Sequence, residues 1–438
     1  MSSFIPLHIK TGYSFLESGI LLDRLLKKAS ELNYTYLGIS DFEVMYGIPE
    51  FNELALKNNI KPIFGMDIKL DNYYLSLYVK NEEGYRNLCR LTSLIHKLEN
   101  ENKALTLDDF HDYSSGLIIV FPLSQNKIFN EINSDLEISL NNLTINNHQH
   151  INLIKDFATS FGLKCIPFPD ITYLNKEEAI VIDILHAIKT NTTIEEDSVA
   201  TKNDEYLKSI DEYNTIYHDY LLNFDEFLLK IDFTFDTKRG QLINYVENED
   251  VRNLFISKVN EGVKKRNIDL TNKIYKNRLN KEFLVIKKLG YFNYFLVVQD
   301  YINFAKDNNI PVGPGRGSAA GSLISYCLGI TDVDPIKYNL LFERFLNVKR
   351  NSMPDIDVDI SDIRRDDVIR YLVSKYGEDR VSRVSAFQTI AAKQALRDIG
   401  RVYGKTQEMI GEIAKAIPNN FKDENAKNFS LDYAYNSI

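Results

Sequence analysis

The sequence predicts a multidomain protein of mixed class, an α/β domain followed by α+β and helical parts. Three observations predict it. The chain has 438 residues, too many for one ordinary domain and enough for several apolar cores. Its first half alternates short strand-like and helix-like pieces. Around Thr234 to Gly240 (TFDTKRG) that alternation loosens, and the rest is mostly helical, broken by a glycine-rich loop and an acidic run.

Taken in order, Gly19 to Glu31 has apolar residues three and four apart and reads as a helix. Tyr34 to Ser40 (YTYLGIS) reads as a strand ending at Asp41, and Lys61 to Met66, Tyr73 to Val79 and Gly116 to Pro122 as further strands. This pattern suits a barrel-like or layered domain. Residues 128–150 are rich in Asn and weakly patterned, and read as a surface elaboration. A basic helical stretch follows the boundary, then the glycine loop, a short helix, the acidic run at 353–360, and helix from Ala391 onward.

Composition excludes several classes. Three cysteines, Cys89, Cys165 and Cys327, are odd in number and far apart, so neither a disulfide framework nor a zinc knuckle is expected. The N-terminus lacks a signal-peptide pattern, and no apolar run reaches about 18 residues, so a soluble, cytoplasmic protein is expected. Net charge is −9, which by itself argues against a nucleic-acid binder. The charge is uneven, however. Lys264 to Lys288 holds nine Lys/Arg against two Asp/Glu, and Arg364 to Arg401 nine against five. Phosphate binding needs only a local basic surface. The bland alternative is two solvated helix faces. All seven histidines lie at or before His218, so chemistry in the second half must run on other groups.

Two motifs carry chemistry. In Met353-Pro-Asp-Ile-Asp-Val-Asp-Ile360 acidic and β-branched residues alternate. On a strand Asp355, Asp357 and Asp359 share one face. Three like charges there disfavour the strand unless a cation joins them, and hard oxygen donors select Mg²⁺ or Mn²⁺. Two such ions can promote nucleotidyl transfer. The alternative is an edge strand guarded by charge. In Gly313-Pro-Gly-Arg-Gly-Ser318 glycines let backbone N–H groups approach phosphate oxygens, Arg316 offers a fork, and Ser318 is expected to cap a following helix whose dipole adds to the site. The loop lacks the Lys-Ser/Thr ending of a Walker A motif. Arg344 either reaches the phosphates or pairs with Glu343 or Asp334.

The runs VGPGRGSAAGSLISYCLGITDVDP (312–335), LLFERFLN (340–347), MPDIDVDI (353–360), RRDDVIRYLVSKYGEDRV (364–381) and SAFQTIAAKQALRDIGRVYG (385–404) occur in that order. With RLNKEFLVIKKLGYFNYFLVVQDYI upstream, they resemble the alpha-subunit family of bacterial DNA polymerase III, in its shorter type without an inserted exonuclease. The resemblance runs essentially from end to end. It implies a PHP domain, a distorted (β/α) barrel, at 1–236. A palm with a polymerase-beta-like nucleotidyltransferase fold follows at 237–386, and the start of a helical thumb at 387–438. It further implies template-directed DNA synthesis. Asp355 and Asp357 would be Mg²⁺ ligands, with Asp359 at a position not usually counted as catalytic. Gly315, Arg316, Gly317, Ser318 and Arg344 would hold the incoming dNTP. Lys393, Arg397 and Arg401, spaced by four, would track primer-template DNA. The family's sliding clamp and other replisome subunits bind elsewhere, through regions this sequence lacks, and its third catalytic aspartate lies in a palm segment past Ile438. The chain is therefore expected to be a fragment or one half of a split polymerase, with little activity alone.

The N-terminal part departs from metal-binding members of the family. It keeps His8, Asp41 and Asp170, and has Asp67 where a glutamate usually stands. Lys10, Phe42 and Thr172 occupy positions where histidines are expected. Losing three imidazoles, one to an ammonium, should cost the site its metals. Two other functions compete with DNA synthesis, a PHP phosphoesterase and a non-catalytic DNA-binding scaffold. The three replaced histidines oppose the first. The facing carboxylates oppose the second.

Overall fold

The structure is a computed structural model. It describes residues 3–71, 73–122, 135–140, 148–194, 204–236, 243–245, 250–347, 354–384, 386–387, 390 and 392–416. The chain divides into two compact units, residues 1–237 with 389–438, and residues 238–388.

The first unit is built on one six-stranded sheet in sequence order, β1 (Tyr36–Phe42), β2 (Lys61–Leu70), β3 (Tyr73–Val79), β4 (Leu117–Phe121), β5 (Asp135–Leu140) and β6 (Lys164–Pro167). β1 and β2 run parallel, β3 is antiparallel to both neighbours, and β4, β5 and β6 run parallel. Helices α1 (Leu22–Glu31), α2 (Ile48–Lys57), α3 (Glu82–Asn100), α4 (Leu107–His111), α5 (His148–Phe161), α6 (Ala179–Thr190), α7 (Ile210–Ile216) and α8 (Leu222–Leu229) surround or follow it. The spacing read in α1 is the stripe it buries, Leu22, Leu25, Leu26 and Ala29. Strands β1 and β4 are buried along their interiors, as expected of strands covered on both faces.

The sheet is joined at its two ends by the N-terminal segment. Gly38 and Ser40 N–H groups donate to Pro6 and Ile9 carbonyls, while Lys10 N–H donates to the Ile171 carbonyl and Ile171 N–H to that of His8. His8 and Lys10 thus lie between β1 and the residues just after β6. Phe4 anchors this segment, fully buried and stacked on Tyr213 of α7 at 3.9 Å. The Asn-rich stretch is not wholly an elaboration. Asp135–Leu140 is a sheet strand between β4 and β6, and α5 begins at His148. Its sequence DLEISL alternates, but so short a period is outweighed by the Asn-rich flanks, which lie outside the described residues.

The second unit contains α9 (Val251–Lys265), α10 (Lys273–Leu289), α11 (Phe292–Asp307), the short α12 (Leu323–Cys327) and α13 (Arg365–Tyr376). Its core joins Phe255, Ile286, Phe295 and Ile302 from the helices to Phe342, Leu346 and Ile356. The acidic run is extended, yet it is not a strand in a sheet. Residues 354–359 carry no ladder, and the one bridge is Ile360 with Val312. Alternation is nonetheless real, since Asp355, Asp357 and Asp359 are exposed and Ile356 is buried. Burying every second residue needs only an apolar floor; a ladder needs a backbone partner, and here Pro311 to Gly313 supply it at one end only. Met353 lies outside the described residues. Residues 392–416 form α14 (Ala392–Val402) and α15 (Gln407–Ala416) in the first unit. Among the described residues all three cysteines are free, and no helix is long and apolar enough to cross a membrane.

Candidate functional site

In the second unit the glycine loop lies directly on the acidic run. Gly313 N–H donates to the Asp359 carbonyl at 2.9 Å. Gly317 has φ +66°, and a side chain there would bring its Cβ within 3.2 Å of Asp357 Oδ2. Both backbone conformation and space therefore favour glycine there. Gly315, at φ +103°, is likewise pressed against Thr331. Arg316 stands between two of the carboxylates, its guanidinium nitrogens 3.6 Å from Asp357 Oδ1 and 3.5 Å from Asp359 Oδ1. These are loose, half-exposed pairs worth little in stability. They do show a cation standing where the acidic face asks for one. Burial, opposed by a hydrogen bond with the Ile356 backbone and aided by Asp355 and Asp357, pushes the Tyr294 hydroxyl up to about 12. The acidic face offers hard oxygen donors to a divalent ion. Among the described residues no three His, Cys, Asp or Glu side chains cluster closely enough to hold a metal, so the pair would need a further ligand.

Ser318 does not cap a helix. Gly317–Gly321 is a 3₁₀ turn with no side-chain cap, and α12 starts at Leu323 with Ser322 as its cap, Oγ accepting from Ser325 N–H at 3.1 Å. Two positive-φ glycines keep the backbone non-helical until Ser318. The first N–H groups of α12 are already taken by Glu282, so the expected helix dipole is not open to a ligand. Arg344 is exposed. Its two alternative partners are occupied, Glu343 by Lys281 and Asp334 by the Tyr275 hydroxyl at 2.7 Å.

Sequence reasoning missed the pair Arg278–Glu282, which holds this loop in place. The signal was available, because Glu282 falls on the apolar stripe of α10 with Leu279, Phe283 and Ile286. A charge on a core-facing stripe demands partners.

In the first unit a cavity of about 520 Å³ opens at the ends of the strands, lined among others by His8, Lys10, Glu17, Phe42, Asp67 and Asp170. His8 sits between two carboxylates, Nε2 2.7 Å from Asp67 Oδ2 and Nδ1 2.8 Å from Asp170 Oδ1. Burial disfavours the imidazolium, but Asp67 and then Asp170 outweigh it and raise the pKa to about 10. With both ring nitrogens facing carboxylates, the ring acts as an ion-pair partner. Lys10 pairs with Glu17 at 2.9 Å, and Lys189 holds the other oxygen of Glu17 at 3.0 Å. Burial acts against the Lys10 charge, and the facing carboxylates raise its pKa all the same. Phe42 lies under the Lys10 ammonium at 5.8 Å, and the Thr172 hydroxyl donates to Glu205. Asp41 is not among the cavity residues. Its buried carboxylate accepts from Thr11 N–H, Thr11 Oγ1 and Ser14 Oγ at 2.6–2.7 Å. Burial pushes that carboxyl up against these hydrogen bonds. Glu17 and Lys189, 172 residues apart, carried no sequence signal.

Lys393, Arg397 and Arg401 all lie on α14. Arg397 and Arg401 line a hollow of about 330 Å³ with Lys405. Arg397 is exposed, whereas Arg401 donates to Asn191 Oδ1.

Residues 253–436 match the family model of the bacterial DNA polymerase III alpha NTPase domain, and residues 6–162 that of the PHP domain. The chain is similar to DNA polymerase III subunit alpha of Staphylococcus epidermidis, 36% identical over 428 residues, 94% of this chain and 38% of that protein. It is 34% identical to the Staphylococcus aureus subunit (98% of this chain, 39% of that protein) and 36% to that of Ureaplasma parvum (96% and 41%). The chain thus spans about two fifths of the length of these relatives. The glycine loop and the acidic run fall inside one matched domain, His8 and strands β1 to β5 inside the other, and the chain carries the PHP and polymerase III alpha NTPase domains of the alpha subunit of bacterial DNA polymerase III.

Proposed function

We propose that this chain carries the nucleotide-phosphate loop and two of the metal-binding carboxylates of a template-directed DNA polymerase. One observation carries the reading: Arg316, on a glycine loop shaped for phosphate, stands over Asp357 and Asp359. In this reading residues 237–386 are the palm and 387–438 the start of the thumb. Asp355 and Asp357 would hold a divalent cation, taken to be Mg²⁺, which when bound would supply charge neutralisation at the transferred phosphoryl group. Arg316 leaves its loose carboxylate pairs to bind the incoming nucleotide's phosphates. Gly315, Gly317 and Ser318 present backbone to the same phosphates, and Arg344 adds a second cation. Primer-template DNA runs along basic helices, including Lys393, Arg397 and Arg401, and the sliding clamp joins through other parts of the polymerase.

The test is Asp357→Asn in the intact protein. Primer extension should fall by at least about 10²-fold, the usual cost of removing one electrostatic stabiliser of a transition state. Primer-template affinity should hold. Extension at the wild-type rate would sink the assignment.

The N-terminal cavity supports a second statement, that this PHP domain is structural and holds no catalytic metal. Lys10 and the imidazolium of His8 supply positive charge next to Asp67, Asp170 and Glu17. The PHP phosphoesterase reading is correspondingly weaker.

A further inference from the structure

Glu282 is fully buried, and its partner Arg278 is only 16% exposed. Neither belongs to the glycine loop or the acidic run. Glu282 Oε1 accepts from Arg278 Nε at 2.6 Å and Leu323 N–H at 3.0 Å, and Oε2 from Ser322 Oγ at 2.8 Å and Ile324 N–H at 3.0 Å. Arg278 Nη2 donates to the carbonyls of Gly321 at 2.6 Å and Leu340 at 3.0 Å. Every one of these partners lies at the foot of the phosphate loop or on the segment leading to Arg344. The two segments touch there, since a Cβ on Gly321 would come within 2.7 Å of the Leu341 carbonyl.

Holding α10 to this loop by apolar packing would avoid the desolvation penalty of a buried ion pair. What a fully satisfied buried network adds is a single geometry. The 3₁₀ turn Gly317–Gly321 carries that geometry forward, with Arg316 at its start and the clamped Gly321 at its end.

We propose that Glu282, oriented by Arg278, is a positioning residue that sets the phosphate loop relative to Asp355 and Asp357. It touches no substrate and acts through Ser322, Gly321 and the turn. The inference rests on the polymerase reading above.

Steady-state primer extension by the intact protein, varying dNTP, tests it. Glu282→Gln turns one acceptor into a donor facing N–H groups. It should raise the dNTP KM and lower kcat, together costing about 10-fold or more in kcat/KM, because small misplacements of binding groups are expensive. Primer-template Kd should stay within about twofold of wild type. The double variant Arg278→Leu/Glu282→Leu removes both buried charges and leaves the Leu323 and Ile324 N–H groups and the Gly321 and Leu340 carbonyls without these partners; its unfolding midpoint should fall while the dNTP KM stays raised. A wild-type KM in that double variant makes the pair merely structural and overturns the proposal. If the double variant does not fold, Ser322→Ala decides, since it removes the hydrogen bond to Glu282 together with the cap on Ser325 N–H and no charge: a raised dNTP KM supports the proposal and an unchanged one overturns it. Wild-type protein that extends no primer fails the polymerase reading itself. Extension that persists with unchanged kinetics in Glu282→Gln fails only the positioning role.

Discussion

His8 holds two carboxylates on one imidazole, and this makes the N-terminal cavity sensitive to alkali. Its pKa is raised from the unfolded value near 6.5 to about 10. The stabilisation is therefore whole below about pH 6.5 and is lost as pH climbs through about 10. Asp170 works in the opposite sense. Burial raises it, His8 and Lys10 more than reverse this, and its lowered pKa gives stability that is lost as pH falls through the folded value. The urea midpoint of the wild-type first unit should fall between pH 6.5 and 10, and His8→Gln should flatten that fall. Zn²⁺ or Mn²⁺ at pH 7 should leave the wild-type midpoint where it is, because a ligand that does not bind the native state cannot stabilise it. A metal-dependent rise would return the PHP domain to the metal-binding class.

At the scale of elements, local caps decide how firmly these side chains are presented. α7 is capped by Ser209, whose Oγ accepts from Glu212 N–H while the Glu212 carboxylate reaches back to Ser209 N–H at 2.9 Å. That helix carries Tyr213 and ends at Tyr217, on both of which Phe4 stacks, and Phe4 leads directly to His8. Ser209→Ala should cost about 1 kcal/mol of first-unit stability in urea titration, the usual worth of such a cap. α12 adds to its local Ser322 cap a second device, a buried carboxylate from another helix, because five residues make too weak a helix to stand on local capping alone. Both kinds of cap satisfy N–H groups; only the first is written in neighbouring residues.

At the scale of the whole molecule the net charge of −9 hides where a polyanion can lie. Of the basic residues in 364–401, Arg364, Arg370, Arg383 and Lys375 are engaged by Asp366, Asp367 and Asp300. In 264–288 Arg266, Arg278 and Lys281 are paired, which leaves exposed Lys264, Lys265, Lys273, Lys276, Lys287 and Lys288 without ion pairs among the described residues, the last four of them on α10. The polymerase reading therefore puts phosphate binding on that helix. Replacing Lys287 and Lys288 by Gln in the intact protein should lower the slope of log K against log salt for primer-template by about one for each phosphate no longer neutralised. An unchanged slope takes this helix off the DNA path.

The sequence by itself determined the alternation of elements in the first unit, the two motifs and their order, and the family. Those signals are local: side-chain periodicity, clustered glycines, and runs long enough to be specific. It misread Asp135–Leu140, because six residues give too little periodicity to outweigh their flanks. It set the acidic run in a strand and a cap at Ser318, because neither the absence of a backbone partner nor the left-handed φ of Gly317 is visible along the chain. Only the tertiary structure decided that Glu17 bridges Lys10 and Lys189, that His8 is engaged by Asp67 and Asp170, and that Glu282 binds Ser322, Leu323 and Ile324 at the foot of the glycine loop. Each of these joins residues distant in sequence, and a buried charge finds its partners by where the fold delivers them.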